Sequence, residues 1–461
     1  MGEAAAEVIH ELQVIKALNQ PLHNLYSVTH AYPTYAQALV GRASQLSYLD
    51  RMENNFFVKQ VLRFWPGYDN KLALARMRLA ETAEDFIKYK AAAMEVNMNA
   101  IRVSDKTCIV KMPKEVVTYD EAPLWMACTK KSQDGLQNII LDFTAVERMN
   151  GLGASMLVKL SAKTKNRGMT LLVYGISDHY RDVFKVTGLE RAIGIYEKEA
   201  DALLAACETS TNISTAGTRE HINDITQRDT TNWAKPLSKI TVTEVPNGAT
   251  NLNVQNRRAV GPVEGFGQMW EKIYQQRLVG LKLTPAEAIQ VMKENIPKLQ
   301  PPQNRFYPTA AGIQPNEVVF INSSTPGGPV HTGVLILYSD DESFTFITPQ
   351  GHPESGWVSF HAFKQNQSTV VQIIGLARAN DPVYEMAFRL VGAKFQERIW
   401  RHVLSSLATH LGVEPQVHVI KTCVDKKMQW SEMTNLWYNA QIRSLLYTIV
   451  SPLRRPRKSK E

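Results

Sequence analysis

The spacing of apolar residues changes period along the chain, and each change marks a different kind of element. Over residues 1–98 apolar positions recur at three-and-four spacing, most clearly over 4–18 and 72–98, where Ala, Leu, Met, Glu and Lys dominate. Asn19-Gln20-Pro21 and Trp65-Pro66-Gly67 interrupt that pattern. It predicts a helical bundle or dimerisation region. From Thr107 short apolar runs at 108–112, 138–143, 169–174 and 193–196 alternate with helical stretches at 119–132, 151–166, 178–186 and 199–206. Such alternation predicts an α/β layer with parallel strands. Residues 208–263 are rich in Ser, Thr, Asn and Gly and predict a polar linker with one short strand at 240–245.

Beyond the linker, Thr284-Pro285-Ala286-Glu287 sets Thr at a helix cap, Pro in the first turn and Glu three residues after the Thr. Strands are predicted at 318–322, 332–338, 343–348, 356–363 and 369–378, with turns at Pro326-Gly327-Gly328-Pro329 and Ser339-Asp340-Asp341-Glu342. A long helix over 382–410 follows, with Gly392 as a bend or close-contact point. The fold class is therefore multidomain α/β plus α+β. It comprises a helical N-terminal region at 1–98, an α/β layer at 102–207, the linker, an antiparallel sheet with a long C-terminal helix at 264–413, and an amphipathic segment with a basic tail at 414–461. Sheet and helix leave a tapered gap, which is either packed or holds a ligand.

Residues 102–207 resemble a STAS domain, the fold of bacterial anti-anti-sigma factors. The resemblance rests on the element order and on Leu141-Asp142-Phe143-Thr144 with Val146, followed by Met149-Asn150-Gly151-Leu152-Gly153. In that family the loop reads Asp-Ser-Ser-Gly-Leu-Gly, opens a helix, and is phosphorylated on its second Ser. Counted from Phe143, Asn150 takes the place of the Asp, Gly151 of the first Ser and Leu152 of the phosphorylated one. Leucine accepts no phosphate. Thr144 and Ser155 lie nearby, neither at the matching position. The resemblance thus implies a protein partner bound through Asn150, Gly151, Leu152, Gly153 and Ser155 without the phospho-switch. Scaffolding members, such as the small subunit of bacterial phospholipid-transport ABC complexes, are similar in this respect. Gly151 and Gly153 also imitate a dinucleotide fingerprint, but Met156 holds the third glycine place and no acid ends the next strand at Tyr174-Gly175.

Residues 264–413 resemble a bacterial domain of uncharacterised function in the START-like, helix-grip (SRPBCC-type) superfamily. The stretches that carry this are Gly265-Phe266-Gly267-Gln268-Met269-Trp270, Pro326-Gly327-Gly328, Phe344-Thr345-Phe346-Ile347-Thr348-Pro349-Gln350-Gly351-His352, Gly356-Trp357 and Ala379-Asn380-Asp381-Pro382-Val383-Tyr384-Glu385. Relatives in that superfamily bind lipids, sterols, polyketides or other apolar molecules, and a minority are cyclases or hydrolases. The resemblance implies an apolar ligand, a lipid among the options, in the gap. Phe346, His352, Trp357, His361 and Arg378 are the candidate cavity residues. Gly351-His352-Pro353 places His352 in a turn at the mouth, and Arg378 could orient a carboxylate or phosphate head group or be a strand-end charge. Asp381 before Pro382 reads as a helix cap. The aromatic pattern of these strands fits a packed core as well as a cavity.

Walker, HExxH, GxSxG and kinase signatures do not occur in the sequence. The histidines of this region, His331, His352, His361, His402 and His410, offer no ligand pair within the strands at two- or four-residue spacing, so neither a metal nor a cofactor is expected. With 44% hydrophobic and 21% charged residues the chain can build real cores. About half of the net charge of +8 lies in the last nine residues, which hold Arg454, Arg455, Arg457, Lys458 and Lys460 against Glu461. The remainder is only mildly basic, which argues against a nucleic-acid partner. Cys108, Cys128, Cys207 and Cys423 form no CxxC pair, as suits a reducing compartment. Without a secretory signal or a run of ~20 apolar residues, a cytoplasmic location is expected, peripheral at the inner membrane face. Trp437, Tyr447, Arg454, Arg455, Arg457 and Lys458 are the candidate contacts to an anionic membrane surface, since an apolar stripe over 436–450 precedes the basic tail. The expected function is a non-enzymatic adaptor or carrier. An enzyme acting on a hydrophobic substrate, and a structural subunit whose gap is filled by its own side chains, are the alternatives.

Overall fold

Apolar runs too short for helices become the strands of a first sheet. In chain order these are β1 (Ala100–Arg102), β2 (Thr107–Lys111), β3 (Glu115–Val116), β4 (Asn138–Asp142), β5 (Arg148–Met149), β6 (Thr170–Tyr174) and β7 (Gly194–Tyr196). The sheet order is β1-β2-β4-β6-β7, with β3 and β5 paired separately. β2, β4, β6 and β7 run parallel, with Ile109 beside Ile140 and Ile140 beside Leu172. Central β4 is buried at every position, as a strand covered on both faces must be. Its helices are α1 (Ala122–Thr129), α2 (Gly151–Asn166), α3 (Asp178–Thr187) and α4 (Glu199–Cys207).

The computed structural model describes residues 100–102, 106–129, 135–207, 228–365 and 367–450, all within the compact unit Met98–Glu461. The helical region read at 1–98, the 208–227 part of the linker, and Arg454, Arg455, Arg457 and Lys458 lie outside the described residues.

Over 228–263 the structure differs from the linker reading. Asp229, Trp233, Ile240 and Val254 are buried, and β8 (Ala259–Val260) joins the second sheet through Thr348. Asp229 accepts from the Met149 backbone N–H at 2.8 Å and the Tyr180 hydroxyl at 3.2 Å, while the Trp233 indole donates to the Met149 carbonyl at 2.8 Å. No strand forms over 240–245; the Ile240 N–H instead donates to the Arg257 carbonyl at 2.7 Å. The buried residues are spaced without a period, so nothing in the pattern marks them as core.

The second sheet is antiparallel throughout. Its strands are β9 (Met269–Leu278), β10 (Asn304–Pro308), β11 (Val318–Thr325), β12 (Gly328–Ser339), β13 (Ser343–Pro349), β14 (Glu354–Gln365), β15 (Ser368–Ala379) and β16 (Val417–Asp425), in the order β10-β11-β12-β13-β14-β15-β9-β16. α5 (Pro285–Asn295) starts with the capping box formed by Thr284 and Glu287. The long helix is divided. α6 (Pro382–Ala387), capped by Asp381, passes through a π-helical turn at Phe388–Gly392 into α7 (Ala393–His410). α8 (Ala440–Val450) ends the described chain.

Because side chains alternate along a strand, the second sheet has two distinct faces. One carries Phe344, Phe346, Phe360, Val371 and Ile373, packed with Ala288 and Met292 of α5 and Val403, Leu404 and Leu407 of α7. The other carries Leu335, Leu337, Ile347, Trp357 and Leu376, which share one core with Leu157, Leu160 and Phe184 of the first layer.

Candidate functional site

The predicted docking helix, α2, is buried along almost its whole length, and its outer side rests on the second face of the antiparallel sheet. Asn150 caps it, its Oδ1 accepting from the Leu152 and Gly153 N–H groups at 3.0 and 3.2 Å. Gly151 allows the closest approach. A Cβ there would lie 2.1 Å from Thr345 Oγ1 and 3.1 Å from Ser359 Oγ. Leu152 packs with Ile273 of β9 and Ile374 of β15, and Tyr119 lies against that group. Gly153 faces inward, where a Cβ would meet the Val116 carbonyl at 2.1 Å. The Ser155 hydroxyl donates to the Gly151 carbonyl at 2.9 Å and accepts from the Trp357 indole N–H at 2.7 Å. All five residues predicted to bind a partner therefore sit together, and Gly151, Leu152 and Ser155 meet the chain's own sheet.

One turn further, charge enters the contact. Lys159, with 7% of its side chain exposed, lies 2.7 Å from Glu271 Oε1 of β9 and 3.0 Å from Glu121 Oε2. Its ammonium also sits 5.2 Å above the Tyr119 ring. Burial opposes the charge on Lys159, but the two carboxylates hold its pKa above the ordinary lysine value. Burial also raises the pKa of Glu271, with Lys159 pulling against it. These residues were not singled out from sequence. A lysine set among Met156, Leu157, Val158 and Leu160, in the otherwise small and apolar first ten residues of the helix, is the available signal.

The five candidate cavity residues do not share a site. Phe346 alone faces the long helix, where it meets Phe344 and Phe360 at ring distances of 5.3 Å. Trp357 and His361 point the other way, toward the first layer. The His361 ring pairs with the Gln372 amide, lies 6.4 Å from the Tyr119 ring, and burial lowers its pKa to about 4. His352 is held by its own turn, with the Glu354 N–H donating to Nδ1 at 3.1 Å, and burial lowers its pKa to about 4 as well. Arg378 is an internal tie rather than a rim charge. Its guanidinium donates to the carbonyls of Pro262, Gly267 and Lys427 at 2.7–3.1 Å and to Asp425 Oδ2 at 2.5 Å. Four of its five N–H donors are engaged in this way and the side chain is buried, so the guanidinium cannot turn toward a ligand without breaking these bonds.

The gap beneath the long helix is occupied by side chains. Phe344 and Phe360 stack at 4.4 Å, and Trp400 of α7 meets Phe360 edge-on at 5.6 Å. Toward the π-helical turn a shallow hollow of about 230 Å³, counted with its open mouth, is lined by Trp270, Lys272, Tyr274, Glu354, Gln396 and Trp400. Lys272, Gln396 and Glu354 bond one another there. The hollow is open to solvent, and its lining sets these three polar groups beside the rings of Trp270, Tyr274 and Trp400, so it does not enclose a guest. Among the described residues no group of three or more His, Cys, Asp or Glu is placed to hold a metal, and no helix is long and apolar enough to cross a membrane.

The family model of the STAS domain matches residues 99–202. This segment is a STAS domain. No curated protein matches the chain. Among solved structures, a putative anti-sigma factor antagonist from Thermotoga maritima is 18% identical over 24% of this chain and 95% of its own, with a TM-score of 0.21. The Bacillus cell fate determinant SpoIIAA in its phosphorylated form is 16% identical over 23% of this chain and 96% of its own, with a TM-score of 0.20. The di-domain ARO/CYC StfQ of the steffimycin biosynthetic pathway is 12% identical over 32% of this chain, with a TM-score of 0.25. The chain spans about half of StfQ's length, 53%.

Proposed function

We propose that the protein is a non-enzymatic connector in which the STAS docking helix is held in cis by the chain's own antiparallel sheet, a helix-grip frame serving as a built-in partner. The seat of Gly151 on Thr345 carries this reading, because a side chain at that position would force α2 off the sheet. Ser155 with Trp357 and Lys159 with Glu271 give the contact direction as well as area. A second protein that used the same face of the STAS domain would have to displace β9, β13, β14 and β15. Partners therefore read the joined pair as one surface, or bind after the two layers separate.

Carriage of an apolar ligand, a lipid included, is the second reading, and the aromatic packing of Phe344, Phe346, Phe360 and Trp400 weighs against it. Such a guest would require α7 to move outward, for which the π-helical turn before it is a suitable hinge. Hydrogen exchange on the full chain tests the connector. Amides of α2 are expected to exchange as slowly as those of central β14, and an α2 that exchanges much faster would refute the cis seat. Native mass spectrometry tests carriage, for which a stoichiometric co-purified lipid is the required result.

A further inference from the structure

Helix α8 is mounted with its amphipathicity reversed. Its polar side faces the body of the protein. Ser444 Oγ accepts from the His331 N–H at 2.9 Å, the Gln441 amide donates to the Gly328 carbonyl at 3.2 Å, and Arg443 donates to Asn253 at 3.0 Å. Its apolar side faces outward. Ile442, Leu446 and Ile449, spaced by four and three residues, are 42%, 57% and 66% exposed, and Trp437 just before the helix is 80% exposed. Isolated apolar residues on a surface are ordinary, but a continuous stripe on a helix anchored by hydrogen bonds is a contact surface.

The charge around the stripe selects among coverings. From Met433 to Lys460 the sequence contains six basic residues and no acidic one. Five of the six follow α8 closely, beginning at Arg454, four residues beyond its last residue, Val450. A second protein surface would need acid in the right places and an apolar groove. An anionic bilayer supplies both at once, apolar depth for Leu446 and Ile449, a headgroup level for the Trp437 and Tyr447 rings, and diffuse negative charge for the cations.

We propose that α8 lies in the interface of an anionic lipid bilayer, with its outward stripe inserted among the acyl chains and the basic residues after it on the headgroups. This goes beyond the connector reading. It rests on residues that take no part in the seat of α2, so its failure leaves that reading intact.

The test is co-sedimentation of the full chain with vesicles of phosphatidylcholine alone or mixed with phosphatidylglycerol. Binding is expected only to the mixed vesicles and to weaken with added salt. Leu446→Glu with Ile449→Glu, and separately Arg454→Gln with Arg455→Gln, Arg457→Gln and Lys458→Gln, should each weaken it by roughly tenfold or more. Equal binding by either variant, or none to mixed vesicles, overturns the proposal. So does a lowered Tm or an altered oligomeric mass of Leu446→Glu with Ile449→Glu in the absence of vesicles, since protein would then cover the stripe. Competition of duplex DNA with the vesicles, when only the basic residues matter, would assign the tail to nucleic acid instead.

Discussion

Replacing Gly151 by alanine adds a single methyl group, and its effect should be far larger than its size. Gly151 adopts no left-handed backbone, so alanine costs nothing locally. The penalty comes from the facing sheet. A Cβ at 2.1 Å from Thr345 Oγ1 is on the order of 1 Å short of ordinary contact, and Thr345 is buried and bonded to Ser359 at 2.8 Å, so it cannot swing aside. Overpacking of this kind costs ~1–3 kcal/mol. Lifting α2 would also stretch the buried Trp357–Ser155 hydrogen bond, for which a further ~1–3 kcal/mol is the usual penalty when a donor is left unpaired. Gly151→Ala is therefore expected to lower the unfolding free energy by about 2–6 kcal/mol in urea titrations of the full chain. Thr345→Ala, which removes the obstructing hydroxyl, should recover part of that loss in the double variant, a coupling that a local helix effect cannot produce. Stability of Gly151→Ala within ~0.5 kcal/mol of wild type, with no coupling to Thr345, would refute the close seat of α2 on β13.

Lys159→Met should destabilise the chain by ~3–5 kcal/mol because Glu271 would be left buried without its cation, whereas Glu121 keeps Lys163 at 3.5 Å, and adding Glu271→Gln should return part of the loss in the same titrations. Arg378→Met strands Asp425 and three carbonyls, so a loss of ~3–5 kcal/mol and a markedly lower Tm are expected, with Arg378→Lys only a partial replacement because it has too few donors. His361 is neutral in the folded chain, its pKa lowered to about 4, whereas an unfolded histidine titrates near ~6.5. Its stabilising contribution is complete above pH ~6.5 and is lost as the pH falls toward 4, about 2 kcal/mol of it by pH ~5. His361→Gln should flatten that part of the stability–pH curve, and an unchanged curve would contradict a buried neutral ring.

Alternation made β11 to β15 legible, because Phe344, Phe346 and Phe360 fall on one parity and Thr345, Trp357, Ser359 and His361 on the other. The same rule failed for β9 and β16. In β9, Glu271 occupies an inward position because Lys159 meets it there, and in β16 the strand lies at the sheet edge with most of its side chains half-buried or exposed. Parity could also not say what each face meets. Trp357 and His361 are as consistent with a ligand as with a helix until the chain closes on itself, and the group that settles the matter, Ser155, is separated from Trp357 by 202 residues. Composition misled over 228–263 for a related reason. Asp229 is buried not by hydrophobicity but by donors from Met149, Tyr180 and Trp233, which no local pattern announces.

The cis seat supplies a physical reason for the residue at position 152. In the STAS resemblance that place belongs to a phosphorylated serine, which must be reached by a kinase and must keep a dianionic group in water. Here it lies between Ile273 and Ile374, 4% exposed, where a phosphate would be cut off from solvent. A serine would leave its hydroxyl in an apolar seat, whereas leucine fills it. Control by phosphorylation and permanent docking on one's own sheet make opposite demands on the same side chain, so a chain built for the second has no use for the first. Leu152→Ser separates the two demands. It should weaken the seat by the ~2–4 kcal/mol typical of trimming a buried leucine, and a Leu152→Ser chain with undiminished stability and unchanged exchange in α2 would show that the helix is not held there.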